Sequence, residues 1–258
     1  MPDLDPTPLY TMDPLNRFCD RAGDYAKYRP SYPSAAIDTI LEGLGSPSQL
    51  VAADVGAGTG ISARLLAERR VRVLAIEPNV AMRQAAQFHP LVQFQDATAE
   101  TTNLPDASVN LVACFQAFHW FNPKPTLQEF HRILKSPGRL VIVWNERSSH
   151  DEFTASYTRL IQIASNNHPA EERRVTIEPL LSSPLFSNVQ NYTFVYKQEV
   201  DLAGLIGRAT SSSYIPREGV LHQQLVSSLQ QLYESTCNEH GLVRLVYRTI
   251  VYLAQPQL

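Results

Sequence analysis

The sequence predicts one α/β domain: a mostly parallel β-sheet closed by an antiparallel strand, with helices on both faces and a helical cap. Its 258 residues suit one large domain. Short apolar segments alternate with amphipathic ones over about residues 34–145, and the alternation lapses after Asn145. Within a single domain spanning 1–258, we expect an N-terminal lid segment (1–33), a ligand-binding core (34–146), and cap helices with closing strands (147–258).

Apolar segments bounded by polar residues, glycine or proline predict the strands. Five are expected in the parallel sheet, at residues 50–55, 71–76, 91–95, 109–115 and 139–144. Segments 192–200 and 243–253 are expected to pair with each other and to close the sheet.

Apolar residues at helical spacing predict the helices that separate these strands. The stripes are Ile61, Leu65 and Leu66, then Met82, Ala85 and Ala86, then Leu127, Phe130, Ile133 and Leu134. A helix near 152–165 is expected next, followed by a loop containing Pro179 and Pro184. A long helix, marked by Leu221, Leu225, Leu229 and Leu232, follows the strand at 192–200, and the helices between the last two strands are expected to fold over the active edge of the sheet.

The charge pattern disfavours a nucleic-acid partner. The formal net charge is −3, and the adjacent basic pairs are only Arg69-Arg70 and Arg173-Arg174, too few to neutralise many phosphates. The apolar runs end long before the roughly 18 residues of a membrane span. The first ten residues, MPDLDPTPLY, lack the basic and apolar regions of a secretory signal.

The cysteines indicate a reducing compartment and no zinc site. Cys19, Cys114 and Cys237 are widely separated, form no CxxC motif and have no nearby histidine pair. A cytoplasmic protein without a membrane or nucleic-acid partner is therefore expected. Nothing in the sequence indicates an oligomeric state.

The strongest local signal is the run DVGAGTG, Asp54 to Gly60, between an apolar strand and an amphipathic helix. Glycines there allow a tight turn and let a ligand contact the backbone at a helix N-terminus. Glu77 closes the second strand, where an acid can accept hydrogen bonds from a ribose diol. Together these features predict a ligand that contains a nucleoside.

The charge and spacing of this loop favour S-adenosylmethionine over a nicotinamide dinucleotide. In a GxGxxG motif the third glycine would stand where Ile61 stands, but here it comes one place early, at Gly60. Asp54 would repel a pyrophosphate, whereas the sulfonium and ammonium groups of S-adenosylmethionine would be attracted to it.

Four stretches together resemble a known family. They are Phe18, Ala22 and Tyr25 with Arg29-Pro30-Ser31-Tyr32-Pro33; DVGAGTG with Ala75-Ile76-Glu77-Pro78-Asn79; Leu104-Pro105-Asp106; and Gln116-Ala117-Phe118-His119-Trp120-Phe121. With these the sequence resembles the class I S-adenosylmethionine-dependent methyltransferases of the type 11 kind, and is similar to the yeast trans-aconitate and cantharidin methyltransferases. The match runs from Phe18 to Arg147 and, more weakly, into the C-terminal segment. It implies a Rossmann-like methyltransferase sheet.

The resemblance also implies how the donor is held. Asp54, Gly56 and Gly58 would hold the methionine end, with Ala57 and Pro78 in the same matched motifs, and Glu77 would bind the ribose. The stretch Thr98-Ala99-Glu100 would face the adenine, and Gln116 with Ala117 would close over the donor. Tyr25 and Arg29 would lie in a segment that packs over the donor, although a solvated helix face before a proline-rich turn fits them equally well.

The adenine contact departs from the family pattern. Many relatives carry an aspartate where this chain has Thr98. Three sources of the contact stay open: the Thr98 hydroxyl, the Asp96 carboxylate two positions earlier, and the backbone of Ala99.

Methyl transfer needs alignment and exclusion of water, and a base only when the acceptor is not already ionised. His119 could remove a proton or bind an anion, or it could pack beside Trp120 as a structural residue. Arg147 could pair with a substrate carboxylate, or bond Glu146 or Asp151 at the surface. We expect the acceptor chamber between residues 116–121, residues 25–32 and the cap containing Tyr214.

The sequence therefore predicts an S-adenosylmethionine-dependent methyltransferase that acts on a small molecule, with a carboxylate or hydroxyl group as acceptor. A non-catalytic module that binds S-adenosylmethionine is the alternative. An NAD-dependent dehydrogenase is less well supported, because of Gly60 and Asp54. No metal site is expected.

Overall fold

The computed structural model describes residues 8–13, 20–168 and 176–257. The described strands are β1 Val51–Val55, β2 Arg72–Ile76, β3 Val92–Gln95, β4 Val109–Phe115, β5 Leu134–Arg147, β6 Phe186–Val200 and β7 Val243–Pro256. They form one sheet in the order β3-β2-β1-β4-β5-β7-β6. Neighbours among β1 to β5 pair in parallel, whereas β7 is antiparallel to both β5 and β6. This arrangement confirms the predicted mostly parallel sheet with an antiparallel closing strand.

The described helices flank this sheet, and the later ones pack against β7. They are α1 Ala22–Tyr28, α2 Ser34–Leu41, α3 Ile61–Glu68, α4 Val80–Gln84, α5 Pro123–Ile133, α6 Glu152–Ala164, α7 Glu178–Leu181, α8 Leu202–Thr210 and α9 Gly219–Thr236. Single 3₁₀ turns lie at Leu9–Thr11, Pro47–Gln49 and Phe118–Trp120.

The central strands are apolar on both faces because both faces are covered. In β4, Leu111 and Ala113 join a cluster with the buried side chains of α2 and α3. Val112 and Cys114 point the other way, into a cluster that includes the buried face of α5. A third cluster lies among α6, α8, α9 and β7, so the cap has an apolar core of its own.

Three details of the predicted elements were wrong. Leu134 does not extend the third helix, because α5 ends at Ile133 and the chain turns directly into β5. Ala85 and Ala86 lie beyond α4, which ends at Gln84. Pro179 stands in the first turn of the short helix α7, not in a loop.

The long helix predicted between the last two strands is α9, and a shorter helix, α8, precedes it. No apolar stripe predicted α8, although its N-terminus carries a local signal. Asp201 caps this helix, and its side chain accepts a hydrogen bond from the N–H of Gly204 at 2.7 Å.

The strand order positions a ligand site. The chain runs from β1 outward to β2 and β3 and then returns to place β4 on the other side of β1. Such a reversal leaves a crevice at the carboxyl ends of the two central strands, where open α/β sheets bind ligands.

Phe18, Cys19 and the pair Arg173-Arg174 lie outside the described residues. Among the residues that are described, no helix has the length and apolarity needed to cross a membrane.

Candidate active site

A cavity of about 620 Å³ opens at the carboxyl ends of β1, β2 and β4. Its volume lies within the roughly 300–1,000 Å³ that is usual for small-molecule sites. The predicted donor-binding residues that line it are Tyr25, Gly56, Gly58, Glu77, Pro78, Thr98, Ala99, Gln116 and Ala117. Arg29 and Ala57 line a much smaller pocket that shares Tyr25, Gly56 and Gln116 with this cavity. Asp54 and Asp96 line neither.

The glycine loop is shaped by left-handed backbone and by close packing. Gly56, Gly58 and Gly60 have φ angles of 70°, 56° and 74°, a region that L side chains rarely adopt. A Cβ atom on Gly56 would lie 2.6 Å from Cβ of Ala117 and 2.8 Å from Cζ of Phe121. The loop after β1 and the loop after β4 can therefore meet only because residue 56 is glycine.

Glu77 is fixed on the cavity wall by backbone groups. Its Oε2 accepts a hydrogen bond from the N–H of Gly58 at 2.8 Å, and its Oε1 accepts one from Asn79 at 2.9 Å. Burial raises the pKa of this carboxyl, although the two backbone bonds oppose the shift. Each oxygen has a further lone pair, so the carboxylate can still accept hydrogen bonds from a diol.

Asp54 lies beneath the loop and not on the cavity wall. It is completely buried, and its Oδ2 accepts a hydrogen bond from the Ser62 hydroxyl at 2.6 Å. Burial raises its pKa from 3.8 to about 7. Its Oδ1 is buried and has no hydrogen-bond partner among the described residues. The predicted attraction of a cationic donor would therefore act from below the loop.

Two of the three candidate adenine contacts line the cavity, and the third does not. Thr98 and Ala99 line the cavity. The Asp96 side chain is 69% exposed and pairs with Nη2 of Arg83 at 2.9 Å. Arg83 also donates to the carbonyl oxygens of Glu77 and Pro78, at 2.6 and 2.8 Å. Asp96 thus supports the turn after β2 through Arg83 and does not face the cavity.

Gln116 closes the cavity from the end of β4 with an uncommon backbone conformation. Its φ angle is 56°, which only a few per cent of non-glycine residues adopt. Its N–H donates to the carbonyl oxygen of Val143 at 2.8 Å, and its Nε2 donates to that of Asn145 at 3.1 Å. Two hydrogen bonds to β5 therefore hold this residue on the cavity wall beside Ala117.

His119 lies beside the cavity but does not line it. Its Nδ1 accepts a hydrogen bond from Nε1 of Trp144 at 3.4 Å, and its ring centre lies 5.1 Å from that of Trp120. Burial lowers its pKa to about 4, and the positive charge of Arg29 adds to this shift. The imidazole is therefore neutral near pH 7.

Arg147, at the end of β5, also lies outside the cavity wall. Its guanidinium carbon stands 5.7 Å from the centre of the Tyr157 ring, a cation–π distance. The two acids named as possible surface partners have contacts of their own. Glu146 pairs with Arg248 at 3.6 Å, and Asp151 caps α6 by accepting from the N–H of Thr154 at 2.8 Å.

Sequence reasoning missed several lining residues. Tyr10, Thr11 and Asp13 come from the N-terminal segment, where no motif marked them. Asn79 carried a signal, because it caps α4 by accepting from the N–H of Met82 at 3.1 Å. Met82 was predicted only as part of an apolar helix face, and it also lines the cavity.

The described residues contain no group of three or more His, Cys, Asp or Glu side chains that could hold a metal ion.

Comparison with known proteins gives the family. Residues 53–142 match a methyltransferase domain. An uncharacterized methyltransferase of Mycobacterium tuberculosis is 32% identical over 239 residues, which make up 90% of this chain and 93% of that protein. A structure from Anaeromyxobacter dehalogenans described as a type II methyltransferase has a TM-score of 0.65 at 22% identity, covering 88% of this chain and 98% of that one.

A Haemonchus contortus phosphoethanolamine N-methyltransferase, solved with S-adenosylhomocysteine, has a TM-score of 0.55 at 14% identity and covers 95% of this chain and 59% of that one. The fold and the crevice between β1 and β4 are those of class I methyltransferases. The chain belongs to the S-adenosylmethionine-dependent methyltransferase family, and S-adenosylmethionine is its cofactor.

Proposed function

We propose that the chain methylates a small organic acid, on an oxygen of its carboxylate. The observation that carries this proposal is Arg29 in the small pocket that adjoins the donor cavity, with Arg147 acting on the same cap residue, Tyr214, while His119 stays neutral. S-adenosylmethionine supplies, when bound, a methyl carbon that a substrate oxygen attacks while the carbon–sulfur bond breaks and its electron pair stays on sulfur. A carboxylate is already ionised near pH 7, so no base has to remove a proton.

In this proposal the glycine loop and the ends of β2 and β4 bind the donor. Gly56 and Gly58 would face its methionine end, and Glu77 would accept hydrogen bonds from its ribose. Thr98 and Ala99 would contact the adenine. The fit rests on the cavity that these residues line and on charge, since the fully buried Asp54 has an unpartnered oxygen beneath a site for a cationic donor.

Arginine side chains favour an anionic acceptor. Arg29 lines the small pocket that adjoins the donor cavity, and its guanidinium carbon lies 4.6 Å from the centre of the Tyr25 ring. Arg29 and Arg147 both act on Tyr214 of the cap. Burial alone would raise the pKa of this phenol, but the two positive charges lower it overall. Positive potential therefore reaches the place where the acceptor is expected.

The protonation state of His119 favours a carboxylate acceptor over a hydroxyl acceptor. With a pKa of about 4, its imidazole is a weak base for a hydroxyl group, which is far less acidic. A carboxylate needs no such base. A neutral histidine can instead accept or donate one hydrogen bond and help to exclude water.

A hydroxyl acceptor is the second candidate, and Tyr214 is the observation that favours it. Because neighbouring arginines lower the pKa of its phenol, Tyr214 could serve as the base that His119 cannot be. The two candidates predict different variants to be inactive.

Matched acceptors test the proposal. Purified protein is incubated with methyl-labelled S-adenosylmethionine and with pairs of small molecules that differ only in carrying a carboxylate or the corresponding primary alcohol. We expect label in base-labile methyl esters of the acids and none in the alcohols. At a saturating donor concentration the rate should change little between about pH 6 and pH 9, because the acid is ionised throughout.

Variants complete this experiment. Arg147→Gln should raise KM for the acid, whereas His119→Gln should keep kcat within a few-fold. Arg244→Gln, which removes an exposed arginine paired with Glu199, is the matched control. Methylation of the alcohols, together with a loss of about 10²-fold or more in kcat for Tyr214→Phe, would instead establish the hydroxyl acceptor.

A further inference from the structure

We propose that Glu129 of α5 is a positioning residue for the donor. It holds residues 97–104, called the adenine segment below, in the conformation that recognises the adenine base. Glu129 does not line the cavity and acts through the segment. The inference rests on the donor arrangement of the proposed function, in which Thr98 and Ala99 contact the adenine. It concerns the donor alone and does not depend on which acceptor is methylated.

The adenine segment has no regular structure of its own. It follows β3 and contains neither helix nor strand, and its first four residues, 97–100, line the cavity. Ala97 and Ala99 are nevertheless buried. Buried backbone groups need hydrogen-bond partners, so a segment without helix or strand keeps one conformation where neighbouring groups bond to it.

Glu129 binds the middle of the adenine segment. Its Oε1 accepts hydrogen bonds from the N–H and the hydroxyl of Thr102, at 2.8 and 2.5 Å, and both residues are buried. Arg132 pairs with this carboxylate, because its Nε donates to Oε2 and its Nη2 to Oε1, each at 2.8 Å. Burial alone would raise the pKa of Glu129, but the hydrogen bonds from Arg132 and Thr102 lower it overall. The group is therefore a charged acceptor near pH 7, and hydrogen bonds to charged groups are the stronger ones.

Helix α5 holds the adenine segment at two further points. Glu100 lines the cavity, and its Oε1 accepts a hydrogen bond from the N–H of Asn122, immediately before α5, at 3.0 Å. Nη2 of Arg132 donates to the carbonyl oxygen of Leu104 at 2.8 Å. The apolar face of α5 is itself buried in the core. The position of the segment therefore follows from the position of this helix.

Short groups would read the base, so their position decides the contact. The edge of adenine that pairs in nucleic acids carries a donating amino group beside an accepting ring nitrogen. On the cavity wall the adenine segment presents the short side chain of Thr98 and the backbone around Ala99. Such groups have little reach, and hydrogen bonds weaken steeply when their geometry is lost. A displaced segment would therefore lose its preference for adenine before the cavity lost its volume.

Calorimetric titration with two ligands tests the role of Glu129. The ligands are S-adenosylhomocysteine and S-inosylhomocysteine, in which a carbonyl oxygen replaces the amino group and the neighbouring ring nitrogen carries a proton. This change exchanges donor and acceptor at one edge of the base. The ratio of the inosine Kd to the adenosine Kd therefore measures recognition of the base. We expect a ratio of about 10 to 100 for the wild type, the effect of one mismatched buried hydrogen-bonding group.

Two variants of similar shape weaken the contact. Glu129→Gln removes the charge, and Thr102→Val removes the hydroxyl but keeps the backbone N–H. Each should lower the Kd ratio at least about threefold, as expected for coupled members of one hydrogen-bond network. Thr102→Ser keeps the hydroxyl and should keep the wild-type ratio. Asp106→Asn is the matched control and should also keep it, because Asp106 pairs with the same Arg132 but is 81% exposed.

A wild-type Kd ratio in folded Glu129→Gln and Thr102→Val would overturn the positioning role. This holds whether the two Kd values stay unchanged or rise equally, because an equal rise indicates only a structural role. If Glu129→Gln does not fold, Thr102→Val decides. Failure of the donor arrangement would look different, since the wild type itself would bind both ligands equally, and the inference would fall with it. Neither ligand has a methyl group to transfer, so the result is independent of the acceptor experiment.

Discussion

Replacing Asp54 with asparagine removes an ionisable group from beneath the glycine loop and keeps its shape. Asp54 is fully buried, and burial raises its pKa from 3.8 to about 7. The folded protein therefore keeps this proton over a pH range in which the unfolded chain has already lost it. As the pH rises from about 4 to about 7, this group makes the free energy of unfolding smaller, and the loss persists above pH 7.

The two pKa values set the size of the effect. With 3.8 for the unfolded chain and about 7 for the folded protein, Asp54 lowers the free energy of unfolding by about 2.5 kcal/mol between pH 5 and pH 8. The asparagine of the variant would not titrate. Its amide would stand where Oδ1 of Asp54 has no partner, at a cost of about 1 to 3 kcal/mol that does not depend on pH.

Urea unfolding of the donor-free protein at several pH values between 5 and 8 measures this difference. Relative to the wild type, Asp54→Asn should gain about 2.5 kcal/mol of stability across that range. Asp38→Asn is the control, because Asp38 is 61% exposed and pairs with Arg69 at the surface, where ion pairs contribute little. Parallel pH profiles for wild type and Asp54→Asn would refute the reasoning.

Three further variants test the donor site and its supports. Glu77→Ala should cost on the order of 1.5 to 3 kcal/mol of donor affinity by calorimetry, and an unchanged affinity in a folded variant would place Glu77 outside the site. Gly56→Ala should abolish donor binding and lower stability by about 1 to 3 kcal/mol, because the new methyl group has no room. Gly207→Ala should cost a similar amount, since its Cβ would lie 2.3 Å from the ring of Tyr28. Gly23→Ala, with open space around its Cβ, should be neutral or slightly stabilising in the same urea titrations, and a comparable loss there would contradict the packing argument.

The first four strands could be predicted to within one residue at each end. β1 and β4 are buried on both faces. All four strands are bounded by polar or glycine-containing turns, so composition alone marks them. The start of β5 could not be predicted in this way. Leu134 continues the apolar stripe of α5, and Pro137-Gly138 reads as a turn. What makes this segment a strand is its pairing with β4, where Leu134 lies opposite Val109.

The residues that line the cavity were predictable where their signal is local. The glycine loop and Glu77 lie at the carboxyl ends of neighbouring parallel strands, and this position alone places them at the same edge of the sheet. The choice between Asp96 and Thr98 has no local signal. It depends on Arg83 of α4, which binds the Asp96 carboxylate outside the cavity.

The burial of two polar residues of the cap was invisible to sequence reasoning for a related reason. Arg208 and Tyr157 lie on different helices, and each falls at a position where a polar residue on a helix would pass for surface. Only the packing of α6, α8 and β7 around a shared apolar cluster brings them inside.

Helix α1 joins the cavity to the cap. Tyr25 lines the cavity, and Arg29, just after the helix, donates a hydrogen bond to the carbonyl oxygen of Ser211. Arg21 fixes the start of α1 to the cap by donating to the carbonyl oxygens of Thr210, Ser212 and Ile215. At the other end, the Tyr28 ring fills the space left by a glycine of α8. Because both ends are fixed to the cap, α1 holds Tyr25 on the cavity wall. Under the proposed function, this helix would therefore help to set the separation between donor and acceptor that an in-line methyl transfer requires.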